Sequence, residues 1–160
     1  MLTTLEKILF LRQIDLFAGF TAHELGIIAQ KAAEVGFSQG EVIIRQGEEG
    51  DSLYLLLGGK VKVIREDSGE RKTLAILEQK SCFGEIAILS NQTRTATVEA
   101  ADASTLLKIK RNDFRELIVS KPEMAFPIFD ILIKRFKNIT DLYMKAETEH
   151  EHPGIDRTHI

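Results

Sequence analysis

The sequence predicts an α+β fold: an antiparallel, jelly-roll-like β-roll flanked by N-terminal helices and by two further helices at its C-terminal end. Three observations predict it. Between about residues 41 and 110 the apolar pattern repeats every second residue in a series of short segments. The stretches GEEGDS at 47–52, Gly58-Gly59 and EDSGER at 66–71 separate those segments with turn-forming residues. On either side the apolar period lengthens to three or four, the repeat of a helix. Many short strands with frequent turns, framed by helices, suit a roll that hides its sheet edges.

The elements follow in order. Residues 4–12 read as a short amphipathic helix with Leu5, Ile8, Leu9 and Leu11 on one side. Thr21 and Glu24 form a capping box, and Phe20 and Leu25 stand where a hydrophobic staple would clamp the same turn. Leu25, Ile28, Ala29 and Ala32 continue at helical spacing, which predicts a helix over 22–33. Strands are expected at Glu41–Arg45, Leu53–Leu57, Lys60–Ile64, Lys72–Leu77, Thr95–Ala100 and Thr105–Lys110. In KVKVI the lysines alternate with Val61 and Val63, the pattern of a sheet wet on one face. Asn112-Asp113-Phe114 opens a helix that breaks at Lys121-Pro122. A second helix runs to Ala146, with Pro127 marking a bend or a fresh start and Ile128, Leu132, Phe136, Ile139 and Tyr143 on one face. One domain is expected over residues 1–146, followed by a polar, disordered tail over 147–160.

The bulk numbers narrow the function. The chain has 160 residues, 44% of them hydrophobic and 28% charged, the balance of a soluble globular domain. Its net charge of −3 invites neither nucleic acid nor an anionic membrane surface. The opening MLTTLEKILFLRQ has neither a long apolar run nor a small-residue cleavage site, so no secretory signal is expected, and no apolar run is long enough to span a bilayer. The single cysteine, Cys82, cannot form an internal disulfide and suits a reducing compartment, so a cytoplasmic protein is expected.

The segment FGEIAILSNQTRTATV, residues 83–98, carries the chemistry. Gly84 permits a turn that other residues resist. Residues 86–89 suit a short helix, 90–93 a loop, and Arg94 opens the following strand. Free amides in the first turn of a helix attract anions, and a nearby Arg adds a planar fork that fits two phosphate oxygens. A carboxylate in the same place makes sense as the acceptor for a neighbouring hydroxyl. Amides, one Arg and one Glu together describe a ribose bearing a singly charged phosphodiester. A Glu and an Arg nine positions apart can equally form a surface ion pair across a loop, worth about 0–1 kcal/mol.

The same residues resemble the cyclic nucleotide-binding domain family, as found in catabolite activator protein, in cAMP- and cGMP-dependent protein kinases and in cyclic nucleotide-gated channels. FGEIAILSNQTRTATVEA matches its phosphate-binding cassette, FGE-(I/L)-A-L-L followed by (P)-R-(A/T)-A-T-V-x-A, without a gap. DLFAGFTAHELGIIA resembles the family's opening helical segment, and GEVIIRQGEEGDSLYLLLGGKVKV its first strands. The helices after Asn112 resemble its B and C helices, so the likeness covers residues 10–145. By this resemblance Glu85 accepts the ribose 2′-hydroxyl and Arg94 pairs with the cyclic phosphate. The amides of Gly84, Ile86, Ala87 and Ala96 complete the cradle, while Val63 and Leu77 wall the sugar and base. Thr95 stands where cGMP-binding relatives often carry a hydroxyl; cAMP is expected as main ligand, with appreciable cGMP binding. Arg135 falls where channel relatives place a base-contacting Arg, with Ile139 one turn on over the same spot. The C helix is then a lid, and Leu89 is placed to pack against the moving helices.

Two positions depart from the family pattern. Thr93 replaces a Pro, which predicts a less rigid loop, and Lys80 stands where many members have Gly, which predicts a different turn before Phe83. Other classes fare worse. The histidines His23, His150, His152 and His159 lie outside the cassette, with no catalytic set beside them, so no enzyme is expected. EHEHP is a weak metal motif, and no metal or other cofactor is expected. Too few residues follow Ala146 for a DNA-reading helix-turn-helix, so nucleic-acid contact in cis is not expected. A scaffold with an empty pocket typically lacks the Glu or the Arg, and both are present. The partners expected are a cyclic nucleotide and an unidentified effector.

Overall fold

The computed structural model describes residues 1–85 and 89–150, of 149 and 150 the backbone only. The chain opens with α1 (Thr4–Leu11), a 3₁₀ turn (Asp15–Phe17) and α2 (Ala22–Lys31). The strands follow: β1 (Ala33–Phe37), β2 (Val42–Ile44), β3 (Ser52–Gly58), β4 (Val61–Asp67), β5 (Glu70–Leu77), β6 (Cys82–Phe83), β7 (Thr97–Ala100) and β8 (Ser104–Lys110). Then come α3 (Arg111–Ser120), a 3₁₀ turn (Pro122–Met124) and α4 (Ala125–His150). The strands make two four-stranded antiparallel sheets, ordered β1-β8-β3-β6 and β2-β7-β4-β5. This is the α+β roll that the alternating pattern predicts.

The first sheet is the middle layer. Along β3, Leu53 and Leu55 face the helices and join Phe17, Leu25, Ile28, Phe114 and Ile128, while Tyr54 and Leu56 face the interior of the roll with Ile44, Val61 and Val98. That double burial explains why SLYLLLG reads as an unbroken apolar run. Phe17, Phe20 and Phe114 form an aromatic trio with centroids 5.8–6.2 Å apart, tying the N-terminal turn to α3.

Several elements differ from expectation. α2 stops at Lys31 because Ala32 is extended (ψ 128°), and the chain then forms β1, in register with β8 from Ala33↔Lys108 to Phe37↔Ser104. Ala and Gly in AEVGF give a weak strand signal, so pairing rather than propensity makes this strand. β6 also arises from pairing, through Tyr54↔Phe83, whose rings stack 5.5 Å apart. On α1 the buried residues are Phe10 and Leu11, while Leu5 and Leu9 face solvent; this helix carries a complete capping box, Thr3 with Glu6. The second box is only half made. Thr21 Oγ1 accepts from the Glu24 amide, but the Glu24 carboxylate turns to the Thr21 hydroxyl (2.9 Å) and to Lys121 Nζ (2.6 Å). Burial opposes its charge most strongly, and the hydrogen bonds from Lys121 and Thr21 together still hold its pKa below the usual carboxylate range.

β7 begins at Thr97 rather than Thr95, so Thr95 and Ala96 form the bend between Arg94 and the strand. Pro127 lies in the first turn of α4, where its missing N–H costs no helical bond, and so marks a fresh start. α4 continues past Ala146 to His150; the remainder of the expected tail, 151–160, lies outside the described residues. Along its expected apolar face only Ile128 is buried, whereas Phe136, Ile139 and Tyr143 are exposed.

Lys80 does not force a different turn. It adopts the conformation glycine would favour, with φ +74°. Its amide donates to the Leu56 carbonyl (2.9 Å) and Ser81 O accepts from Leu56 N (2.9 Å), so β3 pins the turn from both sides. A left-handed non-glycine residue costs about 1–2 kcal/mol, and glycine returns about 0.4–1 kcal/mol of that to the unfolded chain. Lys80→Gly is therefore expected to raise stability by about 0.5–1 kcal/mol, read as a higher urea midpoint at unchanged slope. A midpoint that stays put or falls means the turn carries no strain.

Candidate functional site

Arg94 is set by backbone pairing on both sides of its loop. Gly47 N donates to Arg94 O (2.8 Å) and Arg94 N donates to Glu48 O (2.8 Å), beside an isolated bridge between Glu49 and Thr93. The 47–52 turn thus holds the loop that lacks the family's proline. The half-buried guanidinium reaches inward, where Nη2 donates to Ser52 O (2.7 Å) and Nη1 to Gly84 O (3.2 Å). Two glycines make room for it. A Cβ on Gly84 would stand 2.6 Å from Nη1, and one on Gly50 would stand 2.2 Å from Nε. Gly84 also has φ +84°, which favours glycine for a second reason.

The electrostatics of this seat are lopsided. Burial lowers the Arg94 pKa, and Tyr54, Asp51 and Glu85 offset this only in part. Among the described residues no carboxylate lies within ion-pairing distance of the guanidinium, which is held by carbonyls alone. A partly desolvated cation with neutral partners on one side and open space on the other is a place for an anion.

That space is a cavity of about 470 Å³, within the range of about 300–1,000 Å³ common for small-molecule sites. Gly84, Glu85, Arg94, Thr95 and Ala96 form its polar end, and Val63, Ala75 and Leu77 on the paired strands β4 and β5 its apolar wall. The stack of Phe83 on Tyr54 fixes where the chain turns into Gly84 and Glu85. Thr95 is exposed, and its carbonyl accepts from Arg65 Nη1 (3.0 Å). Ile139 of α4 covers the cavity from outside.

The structure therefore brings together Gly84, Glu85, Arg94, Thr95, Ala96, Val63 and Leu77. Ile86 and Ala87, with the short helix expected at 86–89, fall on residues 86–88, outside the described residues. Arg135 does not line the cavity. Its Nη2 donates to Asp15 Oδ1 (2.8 Å) and its Nη1 stands 3.7 Å from Glu85 Oε1, because two carboxylates attract a guanidinium more strongly than an apolar wall does. Leu89 lines a groove with Phe114, Ile118, Ile128 and Phe129. Sequence reasoning missed Gly50, Ser52 and Asp15, whose roles depend on contacts between distant segments. Among the described residues there is no group of three or more potential metal ligands and no helix long and apolar enough to cross a membrane. The metal motif at His150 and His152 lies outside what is described.

Comparison with known proteins bears on this geometry. A family model described as cyclic nucleotide-binding domain matches residues 34–121. A cAMP-dependent protein kinase regulatory subunit of Blastocladiella emersonii is 30% identical over 142 residues, 88% of this chain and 32% of that protein. The cGMP-dependent protein kinase egl-4 of Caenorhabditis briggsae is 35% identical over 112 residues, 68% of this chain and 15% of that protein. In structure, the chain resembles the catabolite activator protein of Thermus thermophilus with a TM-score of 0.72 at 30% identity, over 84% of this chain and 63% of that one. The chain spans only part of each.

Proposed function

Because the chain belongs to the cyclic nucleotide-binding domain family, we propose that it is a regulatory module, not an enzyme, that binds a 3′,5′-cyclic purine nucleotide in the cavity under Ile139. The observation that carries this reading is the half-buried Arg94 guanidinium, held by two carbonyls and facing the cavity without a carboxylate partner among the described residues. A cyclic phosphate carries one negative charge, which would compensate that cation without adding a second. Glu85 then accepts the ribose 2′-hydroxyl, and the amides of Gly84, Ile86, Ala87 and Ala96 serve the remaining phosphate oxygens. Val63 and Leu77 cover the sugar and base, and the Thr95 hydroxyl meets the purine edge. cAMP is the main ligand and cGMP a weaker one, in keeping with relatives named for each nucleotide.

The response is carried by α4. Ile139 touches the cavity yet is 66% exposed, so a ligand beneath it gains contact only when the helix lies closed. A ligand shifts such an equilibrium by its differential affinity for the two states and no further. The effector that reads α4 is unidentified.

The test is calorimetric titration with cAMP and with cGMP, paired with hydrogen exchange. Heat is expected for both, stronger for cAMP, with protection rising across residues 128–143. Thr95→Ala is expected to weaken the two nucleotides unequally. Absence of heat for both at millimolar ligand hands the fold to the scaffold reading, and an unchanged α4 leaves a binder without a switch.

A further inference from the structure

We infer that Asp15 is a positioning residue of this site, acting through Arg135 on Glu85; the inference rests on the reading that the cavity takes a cyclic nucleotide. Asp15 opens the 3₁₀ turn, and the two residues after it, Leu16 and Phe17, are buried in the helical core. The carboxylate is therefore carried on a rigid mount although its own side chain is 60% exposed. Arg135, on α4, lies between this carboxylate and that of Glu85, and its two amino groups are not shared equally. Nη2 makes a 2.8 Å hydrogen bond to Asp15, whereas Nη1 stands 3.7 Å from Glu85, beyond hydrogen-bond length.

This inequality matters to Glu85. A guanidinium seated squarely on that carboxylate would fill both oxygens with two parallel hydrogen bonds. A sugar hydroxyl would then be left with only the outer lone pairs of oxygens already engaged by a cation, a poorer acceptor. Asp15 prevents this by drawing the guanidinium to its own side. Arg135 stays 3.7 Å from Glu85, far enough to leave its inner lone pairs to the ligand. The N-terminal turn thereby sets the acceptor strength of a residue 70 positions away (85 minus 15). Without Asp15, a small swing of Arg135 closes on Glu85, whose side chain is only 22% exposed, and the ribose hydroxyl must compete with a full ion pair.

The discriminating quantity is the ratio of affinities for cAMP and 2′-deoxy-cAMP, because a general loosening of the fold weakens both alike. Wild type, Asp15→Asn, Asp15→Glu, Arg135→Gln and the Asp15→Asn/Arg135→Gln double variant are titrated with each ligand. Asp15→Asn is expected to weaken cAMP about fivefold and the deoxy ligand less than twofold, a difference on the scale of a partly exposed ion pair. Asp15→Glu restores the wild-type ratio, and in the Arg135→Gln background Asp15→Asn changes nothing further. Equal loss for both ligands, or no loss for either, overturns the role of Asp15 while leaving nucleotide binding intact. A wild-type protein that binds neither ligand fails earlier, at the functional reading, and removes this inference with it.

Discussion

Arg94→Ala is expected to weaken cAMP binding by about 2–5 kcal/mol, roughly 30-fold to several thousandfold. The size follows from where the guanidinium sits. Its seat is partly desolvated, so a bound phosphate there is shielded from water, and among the described residues Arg94 is the cation that lines the cavity. The unliganded protein loses less, because among the described residues the guanidinium serves only the carbonyls of Ser52 and Gly84. The unfolding midpoint should therefore move far less than the binding constant. Arg94→Lys should not rescue, since the donors of a single ammonium nitrogen cannot span Ser52 O, Gly84 O and a phosphate oxygen as the separate nitrogens of the guanidinium fork do. Glu85→Ala should cost less than Arg94→Ala, and 2′-deoxy-cAMP should scarcely notice it. Titration of the variants with both ligands checks the series. A cAMP affinity within threefold of wild type in Arg94→Ala would mean that the anion binds elsewhere.

How much of this was legible in the sequence depends on the range of the interaction involved. The short apolar segments that become β3, β4, β5 and β8 and the turns between them announce the roll, because each is the length of a strand and is bounded by turn-forming residues. The hairpin Asp67–Glu70 is equally local: Ser68 and Gly69 both have positive φ, as a two-residue turn between twisted strands requires. β1 was hidden, since Ala33 to Phe37 become a strand only by lying beside β8. Thr3-x-x-Glu6 and Thr21-x-x-Glu24 have the same motif, yet only the first closes its box. In the second, Lys121 arrives from 97 residues away and takes the carboxylate. Local spacing cannot foresee a distant competitor.

The site divides along the same line. Glu85 and Arg94 lie in one contiguous segment and could be read with their surroundings. The carbonyl that orients Arg94 belongs to Ser52, 42 residues earlier, and the carboxylate that claims Arg135 is 120 residues away. The α4 stripe shows a different limit. A helical repeat of apolar residues says that a face exists, but not that this chain covers it; Phe136 and Tyr143 remain exposed.

Gly50 supplies the sharpest separation of function from folding. It sits in the GEEGDS turn, where its composition reads only as a loop, and an added methyl group there would stand 2.2 Å from Arg94 Nε and 2.3 Å from Cζ. No backbone atom is among those nearest contacts, so the collision is with the end of a flexible side chain. Gly50→Ala is therefore expected to fold with a stability within about 1 kcal/mol of wild type, the arginine swinging aside and the unfolded chain losing some freedom. Binding should fare worse. A displaced guanidinium forfeits a charge-assisted hydrogen bond worth about 1.5–3 kcal/mol, so cAMP affinity should fall about tenfold to a hundredfold. Gly84→Ala makes the contrast: its methyl group meets Nη1 at 2.6 Å and Ser52 O at 3.0 Å, and its φ of +84° adds about 1–2 kcal/mol of backbone strain. That variant should lose stability and affinity together, whereas Gly50→Ala should lose affinity alone. In an Arg94→Ala background the Gly50 substitution should have nothing left to displace, and affinity should not fall further. If Gly50→Ala binds cAMP like wild type, or if its effect persists without the arginine, the two glycines do not shape the phosphate seat.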